Sequence, residues 1–171
     1  MVPKGCSTVR RRTVMALGIC SKRCCIASST SSCFHRLICW NRSCVHRDYR
    51  DGATITQLWG GLAQYMQQSG HEYLIGCASI GMADGGYLAA NLYRRLGEHM
   101  APPEYRVFPR HPLPVEQLFN GQPAELPPLI KGYLRAGAYV GGEPAWDPDF
   151  NTADLLIMMP MARVEERYAR H

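Results

Sequence analysis

A short polar run before a predicted helix has the residue types of an anion-binding turn. Two arginines, Arg47 and Arg50, precede the small residues Gly52 and Ala53, and Thr54 follows. A helix start presents unpaired backbone N–H groups and the positive end of the helix dipole, which suit a phosphate. The small residues allow close approach, and Thr54 can supply a further N–H. The pattern predicts a phosphate-binding turn, and a plain helix start with solvated arginines is the alternative.

Charged side chains later in the chain form two further candidate groups. Lys131 and Arg135 are four residues apart and share one face of a predicted helix, where they can bind a carboxylate or an acidic protein. Several acids of the predicted loop 141–154 can attract a cationic ligand. They are Glu143, Asp147, Asp149 and Asp154. Asp149 and Asp154 also fit turn or cap roles, and solvated surface charge is the alternative for the basic pair.

The proton acceptor and the metal ligands of an enzyme are not marked in this sequence. His71, His99 and His111 can act as a base by residue type, but no pattern selects one of them. Cys44 and Cys77 lie in apolar strand patterns without an activating His–Asp context, so they are predicted to be core residues. The cysteines near residues 20–33 lack paired C-x-x-C spacing, and no metal site is predicted.

Hydrophobic periodicity places these residues on alternating strands and helices, which indicates an α/β fold. The predicted helices cover residues 52–69, 84–99, 126–138 and 164–171, the second capped by Asp84. The predicted strands cover residues 71–79, 105–108 and 155–160. Trp59, Met66, Met158 and Met159 are predicted to lie in the core.

Charge and cysteine divide the chain of 171 residues into two parts. Residues 1–50 hold ten Lys/Arg and one acid, whereas residues 51–171 hold nine Lys/Arg and thirteen acids, so the net charges are +9 and −4. Seven of the eight cysteines lie in the first 44 residues. The uneven charge argues against a nucleic-acid surface, and the apolar runs are too short for a membrane span. A reducing cytosol is expected, because disulfide scaffolds spread their cysteines over the fold.

Residues 1–38 contain no acid and no sustained period. A transit peptide, an interrupted signal peptide, a zinc site and a palmitoylated tether are the functional readings. The alternative is a segment never selected as protein, for which disorder or poor packing is expected. The prediction is therefore an aberrant N-terminal segment at 1–38 and a folded domain at 39–171.

Several blocks of residues 41–171 together resemble the ornithine-lipid N-acyltransferases and their hemolysin-like relatives. The blocks are RSCVHRDYRDGA followed by LWGGLAQYM, then GCASI, PPLIKGYLRAGAYVGGEPAWDPDFNTAD and the ending RYARH. The resemblance implies a partial GNAT fold, a mixed sheet with helices whose front strands are missing. It also implies that strands at about 39–45 and 72–79 form the splayed central pair. Ala53 and Ile55 stand where the superfamily turn has small residues, and Cys39 stands where the family has a glutamate.

The resemblance also implies the chemistry. The donor is a 3-hydroxyacyl group on acyl carrier protein, and the acceptor is the α-amine of ornithine, which gives lyso-ornithine lipid. Candidate contacts for the phosphopantetheine arm or the carrier protein are Arg42, Arg47, Arg50, Gly52, Ala53 and Thr54. The backbone near Ser43, Cys44 and Val45 is the candidate oxyanion donor. Peripheral membrane contact is expected for a lipid product, and no permanently bound cofactor is. A non-catalytic remnant, or transfer from acyl-coenzyme A to another amine, is the alternative.

Overall fold

The computed structural model describes residues 17–18, 25–27, 37–39, 46, 48 and 52–168. The strands are β1 (Leu17–Gly18), β2 (Cys25–Ala27), β3 (Leu37–Cys39), β4 (Tyr73–Gly81), β5 (Phe108–Pro109), β6 (Tyr139–Val140), β7 (Ala145–Asp147) and β8 (Thr152–Pro160). The α-helices are α1 (Gly52–Ser69), α2 (Tyr87–Arg95), α3 (Val115–Leu118), α4 (Pro128–Arg135) and α5 (Met161–Tyr168), and 3-10 turns cover Gly97–His99 and Pro103–Tyr105.

A five-stranded mixed sheet lies at the centre of the fold. Its order is β3-β4-β8-β6, and β7 pairs with β8 as well. The β3–β4 pair is parallel and the other pairs are antiparallel. The parallel pair needs a crossover, which α1 supplies between the two strands. The mixed α/β architecture predicted from the sequence is confirmed at this level.

Alternation along the long strands gives the sheet two different faces. The face we call the helix face carries Leu74, Ala78 and Ile80 of β4, which share one core with Leu62 and Met66 of α1. The same core includes Leu92 of α2, Leu96 directly after that helix, and Ile130 of α4. The opposite face, which we call the second face, has a smaller core. Its buried members are Ile75, Val107, Ala145, Leu156 and Met158.

The segment after α2 covers the outer edge of the sheet. Met100 bridges to Val140 of β6, and Pro112 bridges to Ala145 of β7. Between them, the Val107 N–H donates to the Gly141 carbonyl at 2.9 Å. Pairing along this edge removes exposed backbone groups that would otherwise invite another strand. Directly after Val107, β5 pairs with β2, which in turn pairs with β1, and these three strands form a separate small sheet.

Most predicted elements are confirmed, with shifted ends. The helix at 52–69 agrees with α1, whose end coincides with the positive φ of Gly70 (68°). The helix predicted at 84–99 is shorter, because Gly85 and Gly86 have φ of 81° and 96° and α2 begins only at Tyr87. Asp84 does cap this helix: its carboxylate accepts the N–H groups of Gly86 and Leu88 at 3.0 and 2.6 Å. The other matches are α4 within 126–138, α5 starting before residue 164, and β8 starting before residue 155.

Three predictions of local structure need correction. The strand predicted at 105–108 is displaced, since Tyr105 ends a 3-10 turn begun by Pro103 and only Phe108–Pro109 forms a strand. The loop predicted at 141–154 contains β7 and the start of β8. Trp59 is not a core residue; it is 38% exposed. Met66, Met158 and Met159 are buried as predicted, at 0%, 1% and 4% exposure.

The front of the chain is described only in part. The strand predicted at about 39–45 overlaps β3 only at Cys39, which pairs with Ile75. Residues 40–45 lie outside the described residues, so the upper limit of that strand stays a prediction. Short strands β1 and β2 fall within the predicted aberrant segment 1–38, and the division at residue 38 also stays a prediction.

Candidate functional site

The edge of β4 that faces β3 changes character halfway along the strand. β3 pairs with β4 only over Tyr73 to Ile75, and its last residue, Cys39, lies opposite Ile75. Residues Gly76 to Gly81 continue as strand and pair with β8 on their other side. Within the described ranges, these six positions have no strand partner on the β3 side. We call this stretch, Gly76 to Gly81, the open edge of β4, a name that refers to strand pairing among the described residues.

Helix α1 begins level with the open edge. Its last residue, Ser69, is joined to β4 by a short link, with the His71 N–H donating to the Met66 carbonyl at 3.0 Å. Eighteen helical residues rise about 26 Å from first to last. The nine residues of β4 cover about 26 Å as well. Because the helix runs back along the strand, its N-terminus at Gly52 lies level with the end of β4.

The structure describes part of the predicted phosphate turn. Gly52, Ala53 and Thr54 are the first three residues of α1. The other predicted contacts, namely Arg42, Ser43, Cys44, Val45, Arg47 and Arg50, lie outside the described residues. Their roles stay predictions.

The predicted acceptor residues lie on different faces of the sheet. Lys131 and Arg135 are exposed on α4, which packs on the helix face through Ile130. Asp147 is 3% exposed in β7, and its Oδ1 accepts the backbone N–H groups of Asp149 at 3.0 Å and Phe150 at 3.3 Å. This carboxylate closes a turn between β7 and β8.

The fourth predicted acceptor residue, Glu143, is exposed, and its charge acts on Tyr93 of helix α2. The pKa of Tyr93 on that helix is raised, first by burial and second by the negative charge of Glu143. The guanidinium groups of Arg106 and Arg94 oppose this effect and lower that pKa. Arg94 also forms an ion pair with Glu116 of α3. Glu143 therefore belongs to a mixed-charge surface around α2.

A row of polar side chains lies on the second face at the level of the open edge. Ser79 of β4 and Asp154 of β8 are paired across the two strands. The Thr152 hydroxyl donates to Oδ1 of Asp154 at 3.0 Å. Ser79 is exposed and Asp154 is half-buried. Leu155 and Ile157 alternate along this strand and are buried, and Ala153 continues the same alternation. This pattern would have predicted a strand at Asp154, with its side chain on the opposite face, rather than a loop.

The three candidate histidines lie away from the open edge. His71 precedes β4, and eight residues of extended chain to Ser79 span about 26 Å. His99 adjoins Met100, which bridges to β6. The His111 carbonyl accepts the N–H of Trp146 on β7 at 2.8 Å. Both lie outside β6 and β7, roughly three strand spacings of about 5 Å from β4.

Neither a metal-binding cluster nor a membrane-spanning helix lies within the described ranges. There, no three His, Cys, Asp or Glu side chains are close enough to hold a metal ion. No helix in that part of the chain is long and apolar enough to cross a bilayer.

Three curated proteins of the same name are similar to this chain. The L-ornithine N(alpha)-acyltransferase of Rhodobacter capsulatus is 36% identical over 139 residues, which cover 78% of this chain and 54% of the relative. The Brucella abortus protein is 33% identical over 141 residues, covering 78% and 50%. The Rhizobium meliloti protein is 32% identical over 151 residues, covering 76% and 47%. No protein-family model and no solved structure matches the chain.

The chain spans about half the length of the curated relatives that it matches. Within that span the resemblance deduced from the sequence blocks is confirmed. This chain is a relative of the L-ornithine N(alpha)-acyltransferases.

Proposed function

We propose that this protein takes part in N-acylation of ornithine, as the name of its relatives states. The observation that carries the proposal is the 36% identity over 139 residues to a curated L-ornithine N(alpha)-acyltransferase. The open edge of β4 beside the start of α1 supports it, because it offers backbone groups and a helix N-terminus at one place.

The donor is proposed to be a 3-hydroxyacyl group on the phosphopantetheine of acyl carrier protein. In a GNAT-like fold, the pantetheine arm would lie along the open edge of β4, and its phosphate would meet the N–H groups of Gly52, Ala53 and Thr54. Arg42, Arg47 and Arg50 would add positive charge beside it. No permanently bound cofactor takes part.

The reaction exchanges a thioester for an amide. The neutral α-amine of ornithine attacks the thioester carbon, the C–N bond forms, and the C–S bond breaks. The proton released by the amine balances the negative charge on the departing pantetheine sulfur. A backbone N–H near Ser43 to Val45 would stabilise the oxyanion that forms in between. The product is lyso-ornithine lipid, whose acyl chain favours peripheral membrane contact.

The test is a transfer assay on the purified chain, with ornithine and 3-hydroxyacyl carrier protein as substrates. We expect an amide product whose formation falls about tenfold or more in Arg50→Ala, since a charge-assisted phosphate contact contributes roughly 1.5–3 kcal/mol. Arg110→Ala is the matched control, because Arg110 is exposed and lies beyond β8 and the outer strands.

Two outcomes would contradict the proposal. Folded protein that forms no amide would favour a relative that keeps the fold without the activity. Product formed from acyl-coenzyme A, but not from the carrier protein, would replace the donor while keeping the reaction class.

A further inference from the structure

We infer that the outer side of helices α1 and α4 docks on an anionic lipid bilayer. Trp59 of α1, together with Leu129 and Lys131 of α4, forms the surface that meets it. The inference rests on the acyltransferase function proposed above and deepens it, because it names the surface by which the protein reaches the bilayer that takes up a lipid product.

The distribution of acidic residues is the first observation that supports this docking surface. Helices α1, α2 and α4 pack on the helix face, and all thirteen acids of residues 51–171 lie outside these three helices. The eighteen residues of α1 include no charged side chain, whereas α4 carries Lys131 and Arg135. The surface that α1 and α4 form therefore presents cations without acids, although residues 51–171 have a net charge of −4. This charge is complementary to anionic head groups.

Apolar and aromatic side chains lie together on the same surface. The Trp59 ring meets the Tyr133 ring edge-on, with centroids 6.2 Å apart, and this contact joins α1 to α4. Leu129 precedes Tyr133 by four residues on α4, so the two side chains are neighbours. Leu129 is 57% exposed and Trp59 is 38% exposed, whereas Ile130 of α4 is buried in the core. Tryptophan and tyrosine rings favour the boundary between head groups and acyl chains, and an exposed leucine beside them can enter the apolar layer.

Lys131 and Arg163 add positive charge to this group of helices. Lys131 is exposed, and within the described residues no acid is paired with its ammonium. Arg163 is exposed on α5, which packs on the helix face through Met161. It lies just past the end of α4, because a Cβ at Gly137 would be 3.0 Å from the Cβ of Arg163. Long basic side chains can keep their charge among the head groups while their stems cover apolar surface.

A bilayer suits this surface better than an acidic protein does. The exposed side chains of α1 include Gln57, Gln64 and Tyr65, none of which can form an ion pair with a carboxylate. Peripheral binding to a bilayer requires no such pairs, because apolar burial and attraction of a few cations to anionic lipids act together.

Quenching of Trp59 fluorescence tests which part of the protein meets the bilayer. Trp40→Phe with Trp146→Phe leaves Trp59 as the only tryptophan. The vesicles contain phosphatidylcholine and about one third phosphatidylglycerol, with bromine atoms on the acyl chains. We expect the brominated lipid to quench Trp59 when the protein is bound. Bound protein with unquenched Trp59 would overturn the inference, since the basic residues 1–50 would then be holding the vesicle.

Sedimentation with unbrominated vesicles of the same lipids measures the contribution of each side chain. Lys131→Gln should lower the partition coefficient about fivefold, the typical effect of one basic charge near an anionic surface. Leu129→Ser keeps the charge and should lower the partition severalfold, because it removes apolar burial. Arg110→Gln is the matched control, since it removes one exposed charge from the segment along the outer edge of the sheet and should leave the partition unchanged.

Three results would overturn the inference by this measurement. Wild-type protein that does not sediment with the vesicles is the first, and unchanged partition of both Lys131→Gln and Leu129→Ser is the second. The third is weaker binding of acyl carrier protein by these two variants with normal vesicle binding, which would make the surface a protein-binding one. Vesicle binding needs no turnover, so failure of the proposed function shows separately, as loss of acyl transfer in the carrier-protein assay.

Discussion

Gly142 occupies a position at which no side chain fits. A Cβ atom there would overlap the Val107 carbonyl oxygen, and one at the neighbouring Gly141 would lie 2.7 Å from Cδ2 of Leu156. The backbone of the segment before β5 and the link from β6 to β7 are therefore in direct contact. We expect Gly142→Ala to lower the free energy of unfolding by about 1–3 kcal/mol, because the two segments must separate. Urea unfolding followed by circular dichroism measures the change.

The matched control is a glycine with space around it. Gly132 lies inside α4, and nothing comes within 4 Å of a Cβ placed there. Gly132→Ala should raise stability by about 0.5–1 kcal/mol, since alanine favours the helix. A Gly142→Ala variant as stable as wild type would show that the contact between the two segments is looser than the structure indicates.

The sequence shows where the acidic residues are, but it does not predict the direction in which their side chains point. The sequence places four acids in one predicted loop, but two of them lie in strands, where pairing with β8 or β4 decides which face each occupies. Asp147 is directed into a turn and Asp154 onto the second face. Neither result follows from local composition, because both depend on where β8 begins.

At the scale of elements, length decides what the sequence can predict. The eighteen residues of α1 carry several helical periods and a terminal glycine, so periodicity alone predicts both ends. Strands β6 and β7 have two and three residues, too few for any pattern. They exist because β8 offers them a partner. The open edge of β4 likewise depends on where β3 ends, which local sequence does not determine.

Tyr133 joins helices α1 and α4 and gives their contact a dependence on pH. Its ring meets Trp59 edge-on, with centroids 6.2 Å apart. Burial raises the pKa of Tyr133 above its ordinary value of 10.0. The phenol of Tyr133 therefore ionises at lower pH in the unfolded chain than in the folded one. The stability that its buried neutral form contributes is fully present below about pH 10 and is lost as the pH rises through the higher folded pKa. Stability should fall in this range.

Tyr133→Phe isolates the contribution of the hydroxyl, because it keeps the aromatic contact. Urea unfolding between pH 9 and 12 should show a shallower fall in stability for this variant than for wild type. Tyr87→Phe, at an exposed position, should not reduce the fall. If the Tyr133→Phe and wild-type curves are parallel, the α1–α4 contact is open enough to hydrate the phenol.

For the molecule as a whole, the uneven charge of the sequence suits the acidic carrier protein that we propose as partner. The first 50 residues carry a net +9 and the remainder −4, so the basic charge is concentrated in the first part of the sequence. An acidic carrier protein would be attracted to the first part and weakly repelled by the second. We expect its dissociation constant to rise severalfold between about 0.05 and 0.3 M salt, because the Debye length shortens over that range.

Charge reversal tells which basic group is responsible for this attraction. Replacing Arg42, Arg47 and Arg50 by glutamate should weaken carrier binding at low salt and remove most of its salt dependence. Lys131→Glu with Arg135→Glu makes a control on α4, on the helix face of the sheet, and Arg47→Glu with Arg50→Glu matches its charge change. Similar losses from both sets would mean that overall charge attracts the carrier. A loss confined to α4 would move the docking surface from the phosphate turn to that helix.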